Sequence, residues 1–252
     1  MSTVNPTTDY QTSTVDSTPG YETSMADPNA LENDLRSFYL TGREEQSLFH
    51  EWEHGIPRGD STTPSICSPT YRWWILEHLR NALNRDRKHL LLSLGSGNAF
   101  VERVLCREGY PVLAVDALNE AVKLAREAGV PAIRHNLYSW EAQPDYWDVI
   151  YADGLLGHLH DGHDGAHVAL RLFLVWLKAP CGTVVISNDS PKTDAPVQQS
   201  SNVPGFYWLS EQWIAAELKR AGFTRISTAS IAYRRPLSGL RTRAIITAQR
   251  TE

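Results

Sequence analysis

The sequence predicts a doubly wound α/β fold, with a mostly parallel seven-stranded sheet, a terminal antiparallel strand and an N-terminal helical cap. Three observations carry this. From about residue 88, short apolar runs alternate with helical patterns, as in parallel strands joined by crossover helices. The first run, "HLLLSLG", breaks at Gly95-Ser96-Gly97, and the second, "PVLAVDA", closes around Asp116. The last two runs, "TRISTASIAY" and "TRAIITAQ", are joined only by "RRPLSGLR". That link permits a hairpin but not a right-handed crossover, so the final pair must be antiparallel.

Residues 1–28 are rich in Ser, Thr, Pro and Asp and nearly free of aliphatics. Such a segment cannot offset its ordering entropy by burial, so it is expected to be disordered, unless Tyr10 and Tyr21 help fold it over a ligand. Residues 29–87 are expected to form the cap. Leu31, Leu35, Phe38 and Tyr39 have helical spacing within 30–46, and a short helix is expected in "EQSLFHEWEH". After a loop rich in Gly, Pro and Ser, a longer helix is expected from Pro69 to Leu83, with Tyr71, Trp74, Ile75, Leu79 and Leu83 facing inward.

Residues 88–252 hold the sheet. Helices are expected in "AFVERVLCREG", "NEAVKLAREAG", "DGAHVALRLFLVWLKA" and "SEQWIAAELKRAG", the last begun by Ser210 as N-cap. The third to fifth strands are expected in "PAIRHNL", "WDVIYAD" and "TVVISND".

With 252 residues, 42% of them hydrophobic, the chain can bury one sizeable core. No apolar run approaches the ~20 residues that span a bilayer. The start of the chain lacks the basic and apolar regions of a secretory signal. Cys67, Cys106 and Cys181 are odd in number and unpaired in spacing, which suits a reduced, cytoplasmic protein. The net charge is −5, and residues 1–35 carry six acidic groups without Lys or Arg. No strong positive field is left for nucleic acid, and neither nucleic acid nor membrane is an expected partner. Monomer and homodimer both stay open.

Glycines at the end of a first strand let backbone approach a ligand, and the next helix offers free N–H groups. Asp116, nineteen residues after Gly97, can accept both hydroxyls of a ribose. A dinucleotide fingerprint would place glycine at Phe100, and a Walker loop would place Lys and Ser/Thr where Asn98 and Ala99 stand. No Tyr is followed four residues later by Lys, as a short-chain reductase would require.

"LLLSLGSGNAF", "VLAVDA", "IRHNLYSW" and "WDVIYADGLLGHLHD" resemble motifs I to IV of the class I S-adenosylmethionine-dependent methyltransferases, which have a Rossmann-like fold. "KAPCGTVVIS" and "FYWLSEQWIAAELKRAGF" resemble their later elements, so the likeness spans about residues 88–250. Ala99 replaces the third glycine of the family pattern. The resemblance implies S-adenosylmethionine as cofactor. It puts Gly95, Ser96, Gly97 and Asn98 around the methionine part and Asp116 on the ribose. Ala117 and Leu118 would flank the adenine, Asn136 and Leu137 would meet its edge, and Asp153 and Gly154 would lie beside the sulfonium.

Methyl transfer is an in-line displacement, and a hydroxyl or ammonium acceptor must lose a proton to a nearby base. His158 follows the fourth strand, where the resemblance implies a histidine facing substrate. The cap adds Tyr39, His50, Glu51 and His54; Arg58 or Arg72 could bind the carboxylate of the cofactor or of a substrate. The candidate catalytic residues are His158, His54 and Tyr39. His163 and His167 stand one helical turn apart, but such a pair needs a further ligand and a supporting shell; a polar loop and helix start is the favoured reading, and no metal is expected. Among the aromatics, "NVPGFYWLS" is the expected substrate contact, and the polar stretch before it an expected lid. The predicted activity is methyl transfer to oxygen or nitrogen of a small molecule, such as a natural-product or amino-acid-like acceptor. The alternatives are a non-catalytic nucleoside-binding regulator and a nicotinamide-dependent oxidoreductase.

Overall fold

The computed structural model describes residues 28–40, 47–56, 62–201 and 203–252. The N-terminal segment expected to be disordered, residues 41–46 of the first expected helix, and Arg58 lie outside the described residues. Four helices come first: α1 (Pro28–Leu40), α2 (Leu48–Glu53), α3 (Pro64–Cys67) and α4 (Pro69–Ala82). Their starts follow from local chemistry. Ser47 and Ser68 cap α2 and α4, each Oγ accepting the N–H three residues on, and Pro64 and Pro69 open α3 and α4 with their φ already helical.

The strands and helices then alternate as β1 (Leu91–Leu94), α5 (Glu102–Arg107), β2 (Val112–Asp116), α6 (Asn119–Glu127), β3 (Ala132–Arg134), β4 (Val149–Asp153), α7 (Leu155–Leu159), α8 (Gly165–Trp176) and β5 (Thr183–Asp189). A short hairpin follows, β6 (Val197–Gln199) with β7 (Tyr207–Leu209), then α9 (Glu211–Ala221), β8 (Thr224–Arg235) and β9 (Gly239–Gln249). The main sheet has the order β3-β2-β1-β4-β5-β9-β8. Its first five strands are parallel, and β9 runs antiparallel to both β5 and β8. The third strand is shorter than its apolar run, because Asn136 caps a 3₁₀ turn over Leu137–Ser139. α7 and the β6–β7 hairpin are elements that the sequence pattern did not single out.

Alternation along the strands builds two cores. Leu92, Leu94, Ile150, Ala152, Val184 and Ile186 face α8 and α9, where Leu170, Phe173, Ile214 and Leu218 meet them. Leu91, Val149, Tyr151 and Val185 face the other way, onto Leu105 of α5, Val122 of α6, and Tyr71, Ile75 and Leu79 of α4. The helix expected within the cap is therefore a layer of the sheet, since its apolar stripe finds the sheet face. α1 and α2 are what remains of a cap. Phe49 and Trp52 pack on Leu118 and Ala121, over the ends of β1 and β2. A polar clamp fixes this placement: Asn98 Nδ2 donates to Phe49 O (2.6 Å) and Glu53 Oε1 (2.8 Å), and Arg103 pairs with Glu53 at 2.7 Å. No helix among the described residues is long and apolar enough to cross a membrane.

The hairpin lies directly on α7. A Cβ on Gly157 would stand 2.4 Å from Tyr207 O and 2.5 Å from the Phe206 ring. Gly157→Ala is expected to destabilise the protein by about 1–3 kcal/mol, since only a shift of the hairpin relieves the contact. Urea unfolding of the variant would measure this.

Candidate active site

A cavity of about 190 Å³ runs along the edge where the parallel strands end. In a doubly wound sheet this is where ligands bind, because the neighbouring crossovers leave to opposite faces. One end is built on β1, β2 and β3, the other on the loop after β5, the β6–β7 hairpin, the end of β8 and the start of β9, with β4 and α7 between them.

At the first end, Gly95 adopts φ +62 and its N–H donates to Val115 O at 2.8 Å, which joins the turn to β2. The Asp116 carboxylate accepts from Gly97 N and from Leu118 N, each at 2.9 Å. Burial pushes its pKa above the usual carboxylate range, with the amide donors opposing. Ala117, Leu118, Asn136 and Leu137 line the same end, and Asp153 and Gly154 line the middle. A smaller pocket of about 30 Å³ lies behind the turn. Ser96 Oγ and Asn98 Oδ1, both from residues lining it, are buried without a hydrogen-bond partner. Ala99 keeps a φ of +54, so the turn retains its left-handed step although alanine stands there. Phe100 packs beneath the guanidinium groups of Arg103 and Arg72, at 4.3 and 5.7 Å.

In the middle, Tyr39 of α1 and His158 of α7 meet, with Oη and Nε2 3.1 Å apart. Phe49 stacks on Tyr39 at 5.0 Å and Phe206 meets the His158 ring edge-on at 4.7 Å. Desolvation among these rings pushes the His158 imidazolium down to about 4, so the ring is neutral near pH 7. Desolvation, and then the negative charge of Asp116, raises the Tyr39 hydroxyl well above the ordinary tyrosine value.

At the far end lies a buried network that the sequence reading missed. Arg243 donates to Asp189 Oδ1 (2.8 Å), to Ser187 Oγ (2.8 Å) and to Asp153. Tyr71 donates to Asp153 at 3.2 Å, and Arg235 and Tyr233 both donate to Asp189. Burial alone would raise the Asp189 pKa; Arg243 and Arg235 instead hold it down to about 2. The available signal was the pair Arg241 and Arg243, two residues apart and so on one face of a strand.

Other candidates lie elsewhere. His54 is exposed, with Nδ1 2.9 Å from His50 O, and does not line the cavity. Arg72 also stays outside it, because its guanidinium donates to Ser65 O and Ile66 O and so joins α3 to α4. The Asn98 amide nitrogen is spent on the cap clamp. Among the described residues no three metal-ligating groups converge; His167 Nδ1 lies 3.6 Å from Glu217 instead.

No protein-family model matches the chain. It is 35% identical over 235 residues to the "Tabtoxin biosynthesis enzyme" of Pseudomonas amygdali pv. tabaci, with 89% of each chain covered. The chain belongs to the family of that enzyme. Among solved structures it resembles the Burkholderia thailandensis 1,6-didemethyltoxoflavin-N1-methyltransferase, seen with 1,6-didemethyltoxoflavin and S-adenosylhomocysteine bound. The TM-score is 0.65 and the identity 21%, over 92% of this chain and 94% of that one. It also resembles the [4+2]-cyclase SpnF, with a TM-score of 0.58 and 15% identity over 71% and 81% of the two chains. The fold is that of the class I S-adenosylmethionine-dependent methyltransferases. Since a cyclase shares it, the reaction has to be argued from the site.

Two outcomes follow from the electrostatics. Asp189→Asn leaves buried guanidinium charge without its carboxylate and is expected to cost roughly 3–5 kcal/mol in urea unfolding. His158 takes up its proton more readily unfolded than folded, so its contribution is complete above about pH 6.5 and fades as the pH falls toward 4. Roughly 3 kcal/mol of stability should be lost across that window in the native protein and kept in His158→Gln. Parallel unfolding curves of the two proteins from pH 7 to 4 would contradict this.

Proposed function

We propose that this protein transfers a methyl group from S-adenosylmethionine to a nitrogen or oxygen of a small-molecule acceptor in a natural-product pathway. The observation that carries this reading is the Asp116 carboxylate, fixed by the Gly97 and Leu118 amides at one end of the cavity that holds Tyr39 and His158. Kinship with a tabtoxin biosynthesis enzyme supports the natural-product setting.

The residues present fit the cofactor. Each Asp116 oxygen accepts one amide proton and keeps a lone pair for a ribose hydroxyl. Leu118 and Leu137 offer apolar walls for an adenine, with Asn136 at its edge. The unpartnered Ser96 Oγ and Asn98 Oδ1 suit the polar methionine end. A Cβ on Gly95 would come within 3.0 Å of Leu155, so glycine lets the turn and α7 close around a ligand. When bound, S-adenosylmethionine supplies a methyl group activated by a sulfonium.

The chain's own residues do the rest. Phe49, Trp52 and Tyr39 wall the cavity on the cap side and Phe206 on the hairpin side, which reduces the contact of this part of the site with water. A neutral His158 leaves Nε2 free to accept the Tyr39 proton while the Tyr39 oxygen takes the proton of the acceptor. An imidazole held near 4 is too weak a base to strip the acceptor beforehand. The proton therefore moves as the new bond to carbon forms.

Asp116→Ala is expected to weaken S-adenosylmethionine binding by at least about tenfold, about 1.5 kcal/mol, for the lost ribose hydrogen bonds. Titration calorimetry on the native protein and the variant checks this. Equal affinities would overturn the cofactor assignment.

A further inference from the structure

Glu102, the first residue of α5, stands behind the glycine turn and takes no part in the proton transfer described above. It is only 3% exposed, and the Ser93 hydroxyl of β1 donates to its Oε1. Burial pushes its pKa up to about 7; the Ser93 bond and its own backbone N–H oppose, the Asp153 charge adds, and Arg103 opposes weakly. Arg103, its neighbour along the helix, is already paired with Glu53 at 2.7 Å. The carboxyl is therefore costly to ionise and has no cation of its own.

Glu102 lines the small pocket behind the turn together with Trp52, Ser96, Asn98 and Tyr151. Trp52 Nε1, Ser96 Oγ, Asn98 Oδ1 and Tyr151 Oη are all buried there without a hydrogen-bond partner among the described residues. Folded interiors leave few such atoms, and their gathering around one pocket points to a polar group that enters it. Asn98 has committed its amide nitrogen to Phe49 O and Glu53, so its oxygen is the part left to accept. At about 30 Å³ the pocket admits a group the size of a water molecule or an ammonium. It shares Trp52, Gly95 and Asp153 with the large cavity, so that group can be one end of a ligand lying there. The carboxyls of Glu102 and Asp153 on its wall favour a cation over an anion.

We propose that Glu102 receives the ammonium of the methionine part of S-adenosylmethionine in this pocket, with Asn98 Oδ1 as a second acceptor. The proposal rests on the cofactor reading above. The incoming charge favours the ionised carboxylate, so binding releases a proton to solvent wherever Glu102 starts protonated. The groups that face Glu102 are Ser93 of β1, Tyr151 and Asp153 of β4, and Arg103 and Cys106 of its own helix. Burial holds the Tyr151 hydroxyl and the Cys106 thiol above their usual values, so both stay neutral near pH 7. Asp153 is already paired with Arg243. Glu102 is thus the group that changes charge between pH 6 and 8.

Two probes separate the ends of the cofactor. S-adenosylhomocysteine keeps the ammonium, whereas 5′-methylthioadenosine keeps the adenosine and lacks the amino-acid end. Both are titrated calorimetrically into the full chain from pH 6 to 8. S-adenosylhomocysteine is expected to bind about tenfold more weakly at pH 6 than at pH 8, and 5′-methylthioadenosine equally well at both. Any titration of Asp116 cancels, because the two probes carry the same ribose. Heats in buffers of different ionisation enthalpy should show about half a proton released per S-adenosylhomocysteine at pH 7, and none with the other probe. Glu102→Gln keeps a partner for the Ser93 hydroxyl. It is expected to abolish the pH dependence and the proton release, and to weaken S-adenosylhomocysteine at pH 8 by about tenfold or more, with 5′-methylthioadenosine unchanged. Parallel pH profiles for the two probes would overturn the proposal, as would a Glu102→Gln variant that weakens both alike or neither. If neither probe binds the native protein, the cofactor reading fails and this proposal falls with it.

Discussion

Arg243 is the point on which the functional edge of the sheet depends. Its guanidinium joins the ends of β4 and β5 through Asp153 and Asp189, and it reaches Ser187 and the Tyr71 hydroxyl of α4. A charge buried to this degree is costly unless every donor has an acceptor, so the network admits one arrangement of the strand ends. That arrangement sets where β9 enters, and so where Arg241 stands. It also engages Asp153 at the end of β4, just before the left-handed turn at Gly154 that starts α7 and aims His158.

A second constraint acts from the cap. Asn98 and Arg103 hold Glu53 and the end of α2 against the glycine turn, so the cap rests on the backbone proposed to bind cofactor. The stacking of Phe49 on Tyr39 passes this placement to α1 and brings the Tyr39 hydroxyl to His158. The two constraints grip opposite ends of one cavity. The cap positions Tyr39 against His158 from above, and the charged network shapes the wall beyond them.

Much of the fold was legible in the sequence. Short unbroken apolar runs gave the parallel strands, which are buried on both faces, and period-3.6 patterns gave the helices between them. The short link between the last two apolar runs dictated the antiparallel course of β9, and in the structure the two strands extend into it from both sides. The pattern did not tell that α4 is a layer of the sheet, since an amphipathic stripe shows that a face is buried but not against what. α7 and the hairpin were missed because each is too short to show a period. In the site, Gly95 and Asp116 could be found from their places at strand ends, and the resemblance to the methyltransferases added Asn136 and Asp153. His54 and Arg72 were drawn in because they lie on elements expected to close over the site, and their nearest backbone carbonyls took them instead.

What the sequence by itself determined, then, is the element order, the glycine turn and the acid that closes the second strand. These are local: spacing along the chain decides them before any distant contact forms. Only the tertiary structure decided which side chains meet. Tyr39 and His158 are 119 residues apart and Tyr71 and Arg243 are 172 apart, yet each pair is in hydrogen-bond contact. Such contacts have no signature in spacing. They exist because two cores orient the sheet, and because a buried charge is stable only where all of its partners arrive together.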